Sequence, residues 1–475
     1  MLYHIFLFLI LLIYTLSFCS DIVLIKNESF QYISGVLYII LSVWYMVKFR
    51  KKSLFCPESI ILFIGFVITF YDILVLNNLD YIIGGGLFRQ FSEEMVHKST
   101  CLSLIGFSTF VIGEEIGKNA YEKKKNSLRI GFPDFPTVFA IPMHILAISV
   151  VTLVFMTGLY TEFMKYTLGE GENANTINIM ISVLIMVSSV LEFLRLYKSK
   201  LNSKKITPLI LNINIVYVVT VIIWSLFLLL TGNRGDMMLI AFPPIILFYF
   251  LLKRFNNRYV FLGAIIGALI MIFVGLTRQG NYDYKNEVVE LGLFGMFRDY
   301  GAAYVNQQGL IQYTDSHGIY GVSAGIKALA SSVPFLGGLM FGDSSSSNSD
   351  GNTNKLSTEQ WQLASNMDSG LGTNLLGDLY YAGGLPFVVI YMCILGWFLS
   401  YCYERLYNKK YLNAFSLFTY CWIFADCLYI LRAPYYHLFR QIGFSLVIYF
   451  SLYVLSNIGT DKSSKTKLNI IKHST

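Results

Sequence analysis

Charge is what this chain has least of. Only 14% of its 475 residues are Asp, Glu, Lys or Arg, while 55% are hydrophobic and the mean hydropathy is +0.57. Soluble domains carry about a quarter charged residues, so a soluble globular enzyme is excluded. Cysteine is also sparse. Cys19, Cys56, Cys101, Cys393, Cys402, Cys421 and Cys427 lie in or beside apolar runs, and no Cys-x-x-Cys occurs, so neither a disulfide framework nor a zinc site is indicated. A P-loop, a GxGxxG, an HExxH and a cytoplasmic DxD are all missing, which removes the usual nucleotide and metalloprotease readings. The first apolar segment has no basic leader, and in Leu16-Ser17-Phe18-Cys19 a large Phe precedes the Cys. It therefore fits neither a cleaved signal nor a lipoprotein signal and is expected to stay as a first helix. No internal repeat is found, which counts against the repeat architecture common in secondary transporters.

What is present is apolar length. Runs near 2–18, 31–48, 59–77, 99–114, 138–159, 176–194, 207–230, 236–252, 259–276, 380–401, 411–430 and 441–457 approach the roughly 17–25 residues that a spanning helix needs. The expected fold is an all-α polytopic membrane protein of about twelve transmembrane helices, a single bundle rather than several soluble domains. With an interior amino terminus and alternating sides, 24 of the 36 basic residues fall in the even-numbered connections and the carboxyl tail. That is the positive-inside pattern, with both termini cytoplasmic. The net charge of +7 follows this distribution, and no nucleic-acid partner is expected.

Three parts follow: helices one to nine over 1–276, an extracytoplasmic loop over 277–379 between helices nine and ten, and helices ten to twelve with the tail over 380–475. The loop is expected to carry short amphipathic helices over the membrane face, at 287–297 and 320–336, and a Ser/Asn-rich tip at 343–354. No cytoplasmic loop exceeds about 25 residues, so chemistry belongs outside or within the membrane.

Lysine obeys the charge rule and arginine does not. Lysines divide eighteen inside to six outside, whereas arginines divide six to six. The outer six are Arg89, Arg234, Arg278, Arg298, Arg432 and Arg440. A guanidinium fork suits bidentate phosphate contacts, so its retention outside points to anion recognition. The simpler alternative is pairing with outer acids such as Asp236, Glu290 and Asp299. Arg234 lies in Thr231-Gly232-Asn233-Arg234-Gly235-Asp236 and Arg278 in Gly275-Leu276-Thr277-Arg278-Gln279-Gly280, both at membrane edges where glycine permits close backbone approach. Arg234-Gly235-Asp236 also spells an adhesion tripeptide, but a tight membrane-edge turn presents it poorly.

A third cluster, Leu431-Arg432-Ala433-Pro434-Tyr435-Tyr436-His437-Leu438-Phe439-Arg440, joins helices eleven and twelve. His437 and Arg440 share a face on a helical turn, and histidine there suits a general base or a phosphate contact. The alternative is an interfacial histidine that is simply hydrogen-bonded. Asp426 is expected inside helix eleven, two turns below its outer end, neutralising one of these arginines. Asp315-Ser316-His317 offers an acid and a base two residues apart. Glu93-Glu94 reads as a solvated loop.

The topology of the whole chain, the hexapeptide 231–236, the segment Gly372–Gly384 and the His437/Arg440 cluster resemble the Wzy family of O-antigen and capsule repeat-unit polymerases. In that segment Asp378 stands where a glutamate is more usual and Ala382 where an asparagine is often found. The resemblance implies a membrane glycosyltransferase of the bacterial inner membrane. Its substrate would be oligosaccharide repeat units on undecaprenyl pyrophosphate, its partner a chain-length regulator, and its chemistry independent of metal and cofactor. On that reading Arg234 and Arg278 act in catalysis with His437 as base. Arg298, Arg432, Arg440, His317 and Asp378 hold pyrophosphate or glycan, and His317 is the second candidate base. The alternatives are an O-antigen ligase, which shares topology and outer arginines, and a lipid-linked oligosaccharide flippase.

Overall fold

The computed structural model describes residues 2–20, 27–49, 55–75, 92–124, 137–161, 174–199, 211–231, 234–254, 298–323, 373–408, 414–427 and 429–472, with isolated positions between 256 and 267 and at 326 and 330. Among them all regular secondary structure is helical. A chain surrounded by lipid must satisfy its own backbone, and helices do so within one segment.

The helices are α1 (Leu2–Ser20), α2 (Asn27–Phe49), α3 (Pro57–Thr69), α4 (Glu93–Lys124), α5 (Ala140–Met156), α6 (Ala174–Lys198), α7 (Ile215–Leu230), α8 (Arg234–Leu247), α9 (Arg298–His317), α10 (Leu375–Tyr407), α11 (Ala414–Asp426) and α12 (His437–Lys472). All but α9 fall on expected spans; the ninth span, 259–276, lies outside the described residues apart from isolated positions. Among the described residues, six helices are long and apolar enough to cross a membrane alone, and four apolar helices are shorter. In α8 the pair Pro243-Pro244 removes two helix donors, and the chain widens into a π turn over Phe248–Leu252.

The tightest crossing joins α4 and α10. On α4, Gly113 and Gly117 face the α10 backbone so closely that an added Cβ would lie 2.0 Å from the Cys393 oxygen and 2.3 Å from the Trp397 oxygen. Gly396 on α10 reciprocates, with 2.1 Å to the Phe110 oxygen. Apolar side chains gain little by meeting each other in lipid, so membrane helices associate through such small-residue contacts. The crossing carries α4 beyond the expected 99–114. Glu114 and Glu115, expected at the helix end, lie inside it, where Glu115 meets His4 at 2.7 Å and Lys48 at 3.7 Å. These contacts gather the start of α1, the end of α2 and the late part of α4 at one end of the bundle. Ser20 and Glu93 mark the other end, the one the lysine pattern expects to be outside.

At the Glu93 end, helix α9 packs against α3, α4 and α10. Asn306, Gln307 and Gln308 are fully buried. The Gln307 amide donates to the Ser99 carbonyl at 2.9 Å and to Ser103 Oγ at 3.1 Å, and Tyr304 Oη lies 2.7 Å from Thr100 Oγ1. Buried amides need such partners, and a serine-rich stretch of α4 supplies them. Of the amphipathic stretches expected in the loop, 287–297 lies outside the described residues, as does the tip at 343–354; 320–336 is described only in part.

Candidate functional site

The site grows from the start of α10. Asn374 caps the helix, its side-chain oxygen accepting from the amides of Leu376 (2.9 Å) and Gly377 (3.1 Å). Gly383 and Gly384 then break the helical path, Gly384 with φ of 68°, a conformation that favours glycine. Residues 375–382 thus form a separate two-turn piece tilted against the rest of α10. The sequence places Asp378 ahead of a span beginning at 380; here it stands in the first turn and is 2% exposed. One carboxylate oxygen accepts the Tyr435 amide at 2.8 Å. Tyr391 donates its hydroxyl to the Tyr435 carbonyl at 2.9 Å, and the Thr373 amide reaches the Arg432 carbonyl at 3.4 Å. Two motifs some 57 residues apart, Gly372–Gly384 and Leu431–Arg440, therefore share one set of hydrogen bonds.

Asp426 is the last residue of α11, not two turns inside it, because the apolar run continues past it as a buried turn and a 3-10 segment over Ile430–Arg432. It is 1% exposed, and neither oxygen has a hydrogen-bond partner among the described residues. Its recorded ion-pair contact is the imidazole of His437, Nε2 4.0 Å from Oδ2, rather than an arginine. That distance is too long for a hydrogen bond and short enough for charge to be felt. His437 opens α12 and is 28% exposed, so it faces both the buried acid and the outside of the bundle. Asp236, in the first turn of α8, lies within electrostatic reach of Asp426, and α8 packs along α11. The start of α8, which carries Arg234, thus belongs to the same region. Asp236 also accepts from the Asn178 amide on α6. A tripeptide embedded in a helix turn and bonded to its neighbour is not a free adhesion loop.

Not every sequence-chosen residue joins this region. Arg278 lies outside the described residues. Arg234, Arg298 and Arg440 are placed by their backbones alone: first residue of α8, first residue of α9 and first turn of α12. Arg432 is half-buried in the 3-10 turn. Arg298 and His317 stand at opposite ends of the 20-residue α9, about 28 Å apart at 1.5 Å per residue, so they do not share one ligand contact.

Asp315 accepts from Tyr380 Oη at 2.8 Å and from Lys98 Nζ at 3.3 Å, not from His317. Nδ1 of the exposed His317 lies instead 3.1 Å from the Tyr313 carbonyl and 2.8 Å from Ser316 Oγ. Glu94, expected in a solvated loop, sits in the first turn of α4 and pairs with Lys98 at 3.3 Å. Sequence reading missed Asn374, whose signal was a cap residue before an apolar run. It also missed Tyr435 and Lys98, for which no local signal exists.

The family model for O-antigen polysaccharide polymerase Wzy matches residues 1–462. The chain belongs to that family. No curated protein and no solved structure matches it. Wzy membership and the apolar helices make this a multi-pass membrane protein of polysaccharide biosynthesis, with polymerase activity of the glycosyltransferase type. As a Wzy protein it acts on lipid-linked oligosaccharides; Asp378 with Tyr435 and Asp426 with His437 meet where α10, α11 and α12 come together.

Proposed function

We propose that this Wzy protein joins oligosaccharide repeat units carried on undecaprenyl pyrophosphate, at the outer face of the cytoplasmic membrane and without a metal ion. In one turnover the acceptor hydroxyl of an incoming unit attacks the anomeric carbon that holds the growing chain to its carrier. The new glycosidic bond forms as the bond to pyrophosphate breaks, and the hydroxyl proton passes to a base. His437 is that base, with Asp426 behind it to offset the charge it gains. The arginines at 234, 278, 432 and 440 hold the pyrophosphates and stabilise the leaving one as its charge develops, where one donor is worth roughly 3–4 kcal/mol. Asp378 contributes by fixing the Tyr435 backbone, two residues from His437.

The observation that carries this reading is the meeting of two motifs at Asp378 and Tyr435, beside His437 and Asp426. Arg234→Ala and Arg278→Ala are each expected to lower elongation by about 10²–10³. In cells, single repeat units would still reach the surface and long chains would be lost. A normal ladder of chain lengths from either variant removes that arginine from the mechanism. Repeat units retained on lipid at the inner leaflet of a deletion strain would instead indicate a flippase.

A further inference from the structure

Where α9 ends, two exposed rings are each backed by a second ring. His317 stacks on Tyr313 with centroids 4.2 Å apart and planes 13° from parallel. Tyr320 stacks on Tyr381 at 5.1 Å and 15°, and its amide donates to the Tyr381 carbonyl at 3.0 Å. Tyr313 and Tyr381 meet at 6.0 Å, so the two stacks form one continuous shelf. Tyr381 is almost wholly buried, whereas Tyr320 is 36% exposed. With its proton on Nδ1, His317 can donate to the Tyr313 carbonyl. The lone pair of Nε2 is then available to a ligand.

Charge decides what such a shelf can hold. The cation beside it, Lys98, is shared between Glu94 and Asp315, both at 3.3 Å. Among the described residues, two carboxylates against this ammonium leave a net negative charge, which disfavours a pyrophosphate. Rigid aromatic faces ringed by a few polar groups instead suit the C–H faces and hydroxyls of pyranose rings. The shelf is also tied to the proposed reaction site. Tyr381 lies one helical turn from Asp378, which bonds the backbone next to His437.

We propose that Tyr313, His317, Tyr320 and Tyr381 form a saccharide-binding subsite that positions the sugars of a repeat unit, separate from the arginine-bearing pyrophosphate site. This rests on the polymerase reading above and moves His317 from pyrophosphate contact or base to glycan contact.

The test uses full-length protein in nanodiscs with two probes: repeat-unit oligosaccharide released from its lipid by mild acid, and undecaprenyl pyrophosphate alone. Tyr320→Ala and His317→Ala are expected to weaken oligosaccharide binding roughly tenfold each, while undecaprenyl pyrophosphate binds as in the unaltered protein. That retained binding also reports an intact fold, and Tyr320→Phe should restore saccharide affinity. Unchanged oligosaccharide affinity in both alanine variants, or equal loss of both probes, overturns the subsite. If the unaltered protein elongates lipid-linked units yet does not bind the free oligosaccharide, the subsite fails and the polymerase reading stands. If it elongates nothing, the polymerase reading fails and takes the subsite with it.

Discussion

His437→Ala slows chain elongation by about 10²–10⁴, the usual worth of a positioned general base, and leaves binding of the lipid carrier unchanged. The imidazole is the group at this junction that reaches a buried acid on one side and open space on the other. Asp426 presents two buried oxygens without hydrogen-bond donors among the described residues. Such a carboxylate is costly unless something nearby offsets it, and a protonated His437 would do so as the acceptor hydroxyl gives up its proton. Asp426→Asn is accordingly expected to fall between the parent and His437→Ala. Single-turnover elongation measured against pH separates the two roles: loss of Asp426 shifts the pH profile, and loss of His437 removes its base-dependent limb. An unaltered rate in His437→Ala would remove His437 from the role of base.

The second large effect concerns assembly. Gly113→Leu places a branched side chain where even a Cβ would lie 2.0 Å from the Cys393 carbonyl oxygen. The obstacle is backbone, which cannot swing aside, so α4 and α10 must separate. Overpacking of this kind costs about 1–3 kcal/mol when neighbours can adjust and more where the obstruction is main chain. Since α10 carries Asp378 and Tyr381 while α4 carries Lys98, the junction moves as well. The variant should melt earlier in detergent, measured by thermal aggregation, and should make no long chains. Gly113→Ala should be milder but still damaging, because the Cβ alone already clashes. A melting temperature equal to the parent's would show that the helices do not cross as described.

Much of the helical fold was legible because hydropathy reports directly on segments that can span a membrane. The spans near 2–18, 31–48, 138–159 and 176–194 correspond closely to α1, α2, α5 and α6. The length of α4 was not legible from hydropathy, since its last turns carry Glu114, Glu115, Lys118 and Lys123. The glycines at 113 and 117, four apart, were the signal that this polar stretch still packs against a helix. Helix α9 was hidden for the opposite reason. Asn306, Gln307 and Gln308 look like surface residues, and for Gln307 it is Ser99 and Ser103 of α4 that make burial tolerable.

For the candidate site, residue type and spacing did not reveal which side chains and amides meet. Asp378 accepts an amide 57 residues away, from Tyr435. Asp426 looked like the partner of an arginine and faces a histidine. Neither pairing has a local spacing to reveal it.

The central claim is that this Wzy protein itself joins lipid-linked repeat units. The most direct measurement takes purified full-length protein in nanodiscs, adds lipid-linked repeat units from a strain lacking it, and follows chain length in chelator without nucleotide. The account predicts a growing ladder together with release of undecaprenyl pyrophosphate. Chain growth that waits for a divalent metal or a nucleotide sugar, or transfer of a single unit only when a lipid A core acceptor is supplied, would contradict it.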